Sequence, residues 1–258
     1  MFLLKQSLNI HGIAHLVTVF KNPKLLLPDY YFNIEDIADH IRIHNDGIGK
    51  KEESSLSIQK VPIRGLIFDK DNTLTIPFNN AHFGAKESEH GHIGEIINRC
   101  QGQLGYKNVV ILSNSAGSSD DVDAARDRSP SKARAYPHAD EVESTLNILV
   151  LRHGAKKPAC VTTVYTHFND DVSIDPVQKL EIKSIQMPDL CVIGDRLLTD
   201  VLFGKMHGCM TVLVDPIDES KDISVVRLVR FMEMSVVLPL LCWYYKVPQF
   251  NKKSSTNP

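Results

Sequence analysis

Asp69 and Asp71 stand two residues apart in FDKDNTLT (68–75), directly after the apolar run IRGLIF (63–68). Two like charges about 4 Å apart repel by roughly 4 kcal/mol at an effective dielectric of about 20. Paired carboxylates at the end of a buried strand therefore call for a compensating cation, and oxygen ligands select Mg2+. Three later segments also place polar groups just after apolar runs. NVVILS (108–113) ends on Ser113 and continues to Asn114; NILVLR (147–152) leads to Lys156 and Lys157; DLCVIG (189–194) leads to Asp195 and Asp200. An acidic pair, a hydroxyl, an ammonium and a second acidic pair form an inventory for holding a phosphate and a divalent metal. Taken singly, each has a plainer reading. Asp71 suits a turn or cap, Ser113 a cap, Asp195 a turn, Asp200 the first turn of a helix, and Lys157 a solvated side chain.

The elements that must position these groups alternate. IRGLIF, NVVILS, NILVLR, DLCVIG and MTVLVD (210–215) read as strands. IGEIINRCQGQL (93–104) and LTDVLFGKMHG (198–208), the latter ended by Gly208, read as helices. Such alternation from residue 61 to about 215 predicts an α/β fold, a parallel sheet covered by helices on both faces. In such sheets ligands bind at the carboxyl ends of the strands, where the polar groups fall. Residues 116–144, rich in Ser, Asp, Arg and Lys, read as a long surface loop with at most one short helix.

The chain has 258 residues, 43% hydrophobic and 23% charged, with a formal net charge of −2. That composition belongs to soluble globular proteins, and no chain-wide basic field supports nucleic-acid binding. The five cysteines include no CxxC pair, so neither a zinc site nor a disulfide framework is expected. His82, His90 and His92 cluster after the first motif without a nearby carboxylate or thiol to complete a ligand set, which favours a surface loop.

The ends differ from the middle. Residues 1–28 lack Asp and Glu, and Leu8, Ile10, Ile13, Leu16, Val17 and Phe20 approximate one helical face. That pattern suits a mitochondrial presequence, a membrane-surface helix, or a helix packed on the domain. Residues 44–60 read as a linker. MSVVLPLLCWYY (234–245) carries no charge but is too short to cross a bilayer, which takes about 20 residues. Pro239 is expected to interrupt any helix there. From Ile223 onward Arg227, Arg230, Lys246, Lys252 and Lys253 face only Glu233, which suits an anionic membrane surface; docking of a final helix on the core is the alternative. Trp243, Tyr244 and Tyr245 suit either. The organisation expected is an N-terminal membrane-proximal or presequence-like segment with its linker (1–60), a catalytic domain (61–216) and an apolar, basic helical tail (217–258).

DxDxT, apolar-SN, KP and GDxxxxD, in that order, resemble the four motifs of the haloacid dehalogenase superfamily over about residues 60–215. KKP followed by a helix and then GDRLLTDVLFG, with FDKDNTLT, LSNSAGS and the stretch LNIHGIAHLVTVFKNPKLLLP (8–28), resembles more closely its subclass IIIA and the mitochondrial phosphatidylglycerophosphatase family. The resemblance implies a three-layer Rossmann-like fold and a phosphatase that forms an aspartyl-phosphate. Asp69 would be the nucleophile and Asp71 the general acid–base. Mg2+ would be held by Asp69, the Asp71 main-chain carbonyl and Asp195, with Asp200 binding through water or orienting a ligand. Ser113 and the Asn114 backbone N–H would contact phosphoryl oxygens, Thr73 would support the loop, and Lys157, in preference to Lys156, would balance charge. The substrate implied is phosphatidylglycerophosphate, hydrolysed to phosphatidylglycerol in cardiolipin biosynthesis. The implied location is peripheral, on the matrix side of the mitochondrial inner membrane.

Fewer than 20 residues separate Thr75 from the helix near Ile93, too few for a cap domain. The site is therefore expected to be essentially capless and open, which suits a bulky ester such as a lipid headgroup. A soluble phosphatase acting on a sugar phosphate, nucleotide or phosphoprotein, and a non-catalytic phosphate- or protein-binding module, are the other readings.

Overall fold

The computed structural model of the chain describes residues 15–39, 45, 62–77, 79, 92–122, 136–169 and 184–247. Short apolar runs pair side by side into one six-stranded sheet. Its strands are β1 (Tyr30–Tyr31), β2 (Gly65–Phe68), β3 (Val109–Ile111), β4 (Leu149–Val150), β5 (Leu190–Gly194) and β6 (Met210–Leu213). Their spatial order is β1-β6-β5-β2-β3-β4, and every neighbouring pair is parallel. The strands that carry the motifs, β2, β3, β4 and β5, are contiguous and all end on one edge.

Side-chain alternation along these strands builds two cores. Leu66, Phe68, Val109, Ile111 and Ile193 face one side and meet Ile93, Ile97 and Cys100 of α2 (Ile93–Leu104). Ala139, Val142 and Leu146 of α3 (Pro137–Leu146) close the same side. Ile67, Val110, Leu112 and Val192 face the other, against Val164 and Phe168 of α4 (Val161–Asn169) and Phe203 of α5 (Leu202–His207). The expected sheet with helices on both faces is therefore what forms. The segments on which the capless expectation rests, 80–91 and 123–135, lie outside the described residues, as do residues 1–14, His82, His90 and most of the expected linker.

Three expectations need correction. The polar stretch 116–144 is not simply a solvated loop, because Ala139, Val142 and Leu146 recur at helical spacing and bury one face of α3. Asp121, only 1% exposed, accepts the backbone N–H groups of Gly117, His138 and Ala139 and so caps that helix. Pro239 does not stop the tail helix. α6 (Ser224–Met232) passes through a π-helical turn, Glu233–Val237, into α7 (Leu238–Tyr245). The wider turn falls where Pro239 lacks an N–H, and proline sits comfortably in the first turn that follows. The helix expected over 198–208 likewise opens as a π-helical turn, Leu197–Val201, before α5.

The first and last described segments meet on one flank. Val19 of α1 (Leu16–Lys21), with Leu26 and Leu27, packs against Leu197, Leu202, Leu238, Leu241 and Cys242. Lys24 lies 5.3 Å from the ring centroid of Tyr245. β1, which the sequence reading missed, pairs its two residues with Val212 and Leu213 at the sheet edge.

Gly204 sets how closely α5 approaches β5 and β6. A Cβ built there would lie 2.4 Å from Thr211 Cγ2 and 3.3 Å from Val192 Cβ. Gly204→Ala should cost about 1–3 kcal/mol through overpacking, read as a lowered urea midpoint; an unchanged midpoint would show that the interface yields freely.

Candidate active site

Asp69 is the first residue beyond β2, and its N–H donates to the Ile193 carbonyl at 2.8 Å. That bond extends the β2–β5 pairing by one step and draws the first and fourth motifs together. Gly194 then permits a close fold-back. A Cβ at that position would lie 2.3 Å from Asp200 Cγ. Asp200 occupies this space, its Oδ2 accepting from Arg196 N–H at 3.2 Å and Thr199 Oγ1 at 3.1 Å. Carboxylate oxygens of Asp69, Asp195 and Asp200 consequently lie within 4.8 Å of one another.

Lys157 reaches this cluster from the loop after β4. Its Nζ is 2.6 Å from Asp69 Oδ1 and 2.5 Å from Asp200 Oδ1. Lys156 turns instead to Asp120 at 2.6 Å. Asn114 contributes through its side chain, whose Oδ1 accepts the Lys157 N–H at 2.9 Å. Ser113 is buried at the end of the β3 run. Its Oγ accepts the Ser115 N–H at 3.1 Å, and its carbonyl meets His153 Nε2 at 2.8 Å. Thr73 Oγ1 donates to Asp195 Oδ1 at 3.3 Å.

The Asp71 side chain lies apart from the three clustered carboxylates. Lys70 Nζ donates to its Oδ1 at 2.6 Å and Ser115 Oγ to its Oδ2 at 2.5 Å. At 29% side-chain exposure it is wetter than Asp69 at 13% or Asp200 at 1%. A carboxyl that exchanges protons needs such access, whereas a nucleophile needs a fixed aim.

The charge balance is unusual. Burial raises Asp69 to about 8; Lys157 opposes the rise, while Asp200, Asp195 and Asp71 add to it. Burial raises Asp195 to about 6 against the pull of Arg230. Burial alone would lower Lys157, but Asp200 and Asp69 outweigh it and hold the ammonium above its usual range. Three converging acids meet one ammonium, Lys157, and one guanidinium, Arg230 on Asp195, which leaves them one cation short. The donors are hard oxygens, so the set fits Mg2+ and would hold it through Asp69, Asp195 and Asp200.

Sequence reasoning missed Ser115, Lys70, Arg230 and Glu233. Ser115 lies within a quoted motif, two residues past Ser113. Arg230 and Glu233 sat in the count of tail charges, and only their i, i+3 spacing marks a shared helix face. Both are buried, at 3% and 1% exposure, so neither joins the expected basic flank. Among the other candidates, His92 pairs with Glu35 at 2.8 Å on the surface. All five cysteines are buried free thiols.

The raised carboxyls carry a pH signature. The folded chain holds these protons more tightly than the unfolded chain, so their contribution to stability falls as pH rises from about 4 to about 8. A metal competes with those protons. Chelator-treated protein should show a larger Mg2+-induced rise in Tm at about pH 8 than at about pH 5. Equal shifts would place the ion elsewhere.

Comparison with known proteins fits this geometry. The family model described as mitochondrial PGP phosphatase matches residues 10–218. A phosphatidylglycerophosphate phosphatase 1, chloroplastic/mitochondrial, of Arabidopsis thaliana is 30% identical over 236 residues, 91% of this chain and 54% of that protein. A chloroplastic phosphatidylglycerophosphate phosphatase 1 of Chlamydomonas reinhardtii is 32% identical over 166 residues, 64% of this chain and 49% of that protein. A mitochondrial phosphatidylglycerophosphatase of Saccharomyces cerevisiae is 25% identical over 210 residues, 78% of this chain and 84% of that protein. The chain thus spans about half the length of the plant and algal relatives. No solved structure matches it. With the four motifs on adjacent strand ends and the family model covering most of the sequence, the chain belongs to the mitochondrial PGP phosphatase family.

Proposed function

We propose that the chain is a Mg2+-dependent phosphomonoesterase that hydrolyses phosphatidylglycerophosphate to phosphatidylglycerol, a step of cardiolipin biosynthesis. The observation that carries this reading is the convergence of Asp69, Asp195, Asp200 and Lys157 in a family whose named members act on that lipid.

In the first step an Asp69 oxygen bonds to phosphorus and the phosphorus–alkoxide bond breaks. Asp71 gives its proton to the departing oxygen, which becomes the terminal hydroxyl of phosphatidylglycerol. In the second step Asp71 takes a proton from water, whose oxygen bonds to phosphorus. The bond to Asp69 breaks and inorganic phosphate leaves. Lys70 and Ser115 hold Asp71 for both transfers, and Lys157 opposes protonation of Asp69 and aims it. Mg2+, when bound, neutralises phosphoryl oxygens so that one anion can approach another. Ser113 and Asn114, at the end of the β3 run, would contact those oxygens.

A peripheral site on the matrix face of the mitochondrial inner membrane suits the same reading. The yeast relative is named mitochondrial, and no described helix is long and apolar enough to cross a membrane. Leu228, Phe231, Met232, Leu240 and Trp243 are each 46–75% exposed along α6 and α7. The exposed Lys21, Lys24 and Lys246 lie on α1, in the turn that follows it, and at the end of α7. Exposed apolar side chains with basic neighbours fit an anionic lipid surface.

Asp69→Asn should lower kcat on the lipid by a factor on the order of 1,000 or more. Lys157→Ala should cost about 100-fold or more, and Lys156→Ala no more than about threefold. Activity that survives in Asp69→Asn would remove the nucleophile. Turnover of soluble sugar phosphates or nucleotides far above that of the lipid would favour a soluble phosphatase instead. In flotation with cardiolipin-containing liposomes, Leu240→Glu with Trp243→Ala should stay at the bottom of the gradient while the unaltered chain rises. Equal flotation would assign that helix face another role.

A further inference from the structure

The C-terminal helix presents two faces, and the inner one bears on the fourth motif. Arg230 of α6 is 3% exposed, and its Nη1 donates to the Asp195 carboxylate and, at 3.2 Å, to the Asp195 main-chain carbonyl. Its Nε donates to Asp222 Oδ2 at 2.9 Å. Asp222 Oδ1 in turn accepts the Asn72 side-chain amide at 2.9 Å, and Asn72 sits with positive φ in the turn directly after Asp71. One guanidinium thus ties the loop of the first motif to the loop of the fourth. Three residues further on, buried Glu233 accepts the Leu198 N–H at 3.1 Å and Arg196 Nε at 3.0 Å. The helix therefore grips the Asp195–Asp200 segment at its start and its middle.

We propose that Arg230 is a positioning residue for Asp195, so that the C-terminal helix, beyond the stretch the family model matches, completes the divalent-cation site. The physical reason is geometric. A carboxylate held at one oxygen by Arg230 and at the other by Thr73 keeps one rotamer and one direction toward Asp69 and Asp200. Without the guanidinium, Asp195 rotates and the three oxygens lose their common focus. Only a planar fork spans the Asp195 carboxylate, the Asp195 carbonyl and Asp222 together; a lysine ammonium reaches fewer of them. A helix that merely covered the sheet would meet it with apolar groups, because a buried arginine is costly unless each of its donors is used.

The test uses the full chain and Mn2+ as the probe, its binding followed by electron paramagnetic resonance, with hydrolysis of a small phosphomonoester measured in parallel. Arg230→Met should weaken Mn2+ binding by at least about tenfold, and Arg230→Lys should fall between it and the unaltered chain. In the hydrolysis assay kcat should drop in the same order while KM for the ester moves little. If Arg230→Met does not fold, Arg230→Lys carries the test. A folded variant that binds Mn2+ as tightly as the unaltered chain, or more tightly, overturns the proposal. The catalytic consequence rests on the phosphatase reading, and the two fail differently. An unaltered chain that binds Mn2+ but hydrolyses no phosphomonoester refutes that reading, while the Mn2+ series still decides the role of Arg230.

Discussion

Three carboxyl groups from two loops are forced into a space where a single ammonium stands between them. Even with the Arg230 guanidinium on Asp195 the acids are one cation short, and that shortfall is the constraint on which the rest of the site depends. Burial and mutual repulsion push Asp69 and Asp195 toward protonation, and Lys157 and Arg230 resist it. Such an arrangement persists because its surroundings over-determine it. Asp69 is hydrogen-bonded across to β5, Gly194 leaves room for Asp200, Asn114 holds the backbone of Lys157, and Thr73 holds Asp195. The divalent ion proposed for this site would relieve that repulsion on binding.

Parallel pairing gives the constraint its location. Because β2, β3, β4 and β5 run the same way, the residue after each strand falls on one edge. Four loops remote in sequence need no further device to meet there, which is why one apolar run followed by polar residues could be repeated into a single site. The flank formed by the first and last described segments has a different logic. Its outer side exposes large apolar residues, and its inner side buries Arg230 and Glu233 against the fourth motif. A surface suited to lipid and the residues that orient Asp195 share one helix.

Much of this was legible in the sequence, for a physical reason. Strand type and the Asp69 and Asp71 spacing are local patterns, which survive without coordinates, whereas the preference for Lys157 over Lys156 came from the motif resemblance. What escaped depended on partners distant in the chain. Asp121 reads as one more acid in a charged stretch until His138 and Ala139 are seen to donate to it, 17 and 18 residues away. Arg230 reads as a basic flank until Asp195 is found 35 residues upstream. β1 is two residues long, and only its pairing with β6 makes it a strand. The proline in the tail misled because a π-helical turn absorbs its missing donor, a remedy with no signature in residue type.

A crystal structure of the chain with Mg2+ and a planar phosphate mimic would test the central claim most directly. The account predicts one ion with an oxygen from each of Asp69, Asp195 and Asp200 facing it, the nearest at about 2.1 Å. It also predicts the mimic in line with a second Asp69 oxygen, and the Lys157 ammonium beside both. An ion bound elsewhere, or a mimic lodged away from Asp69, would contradict it.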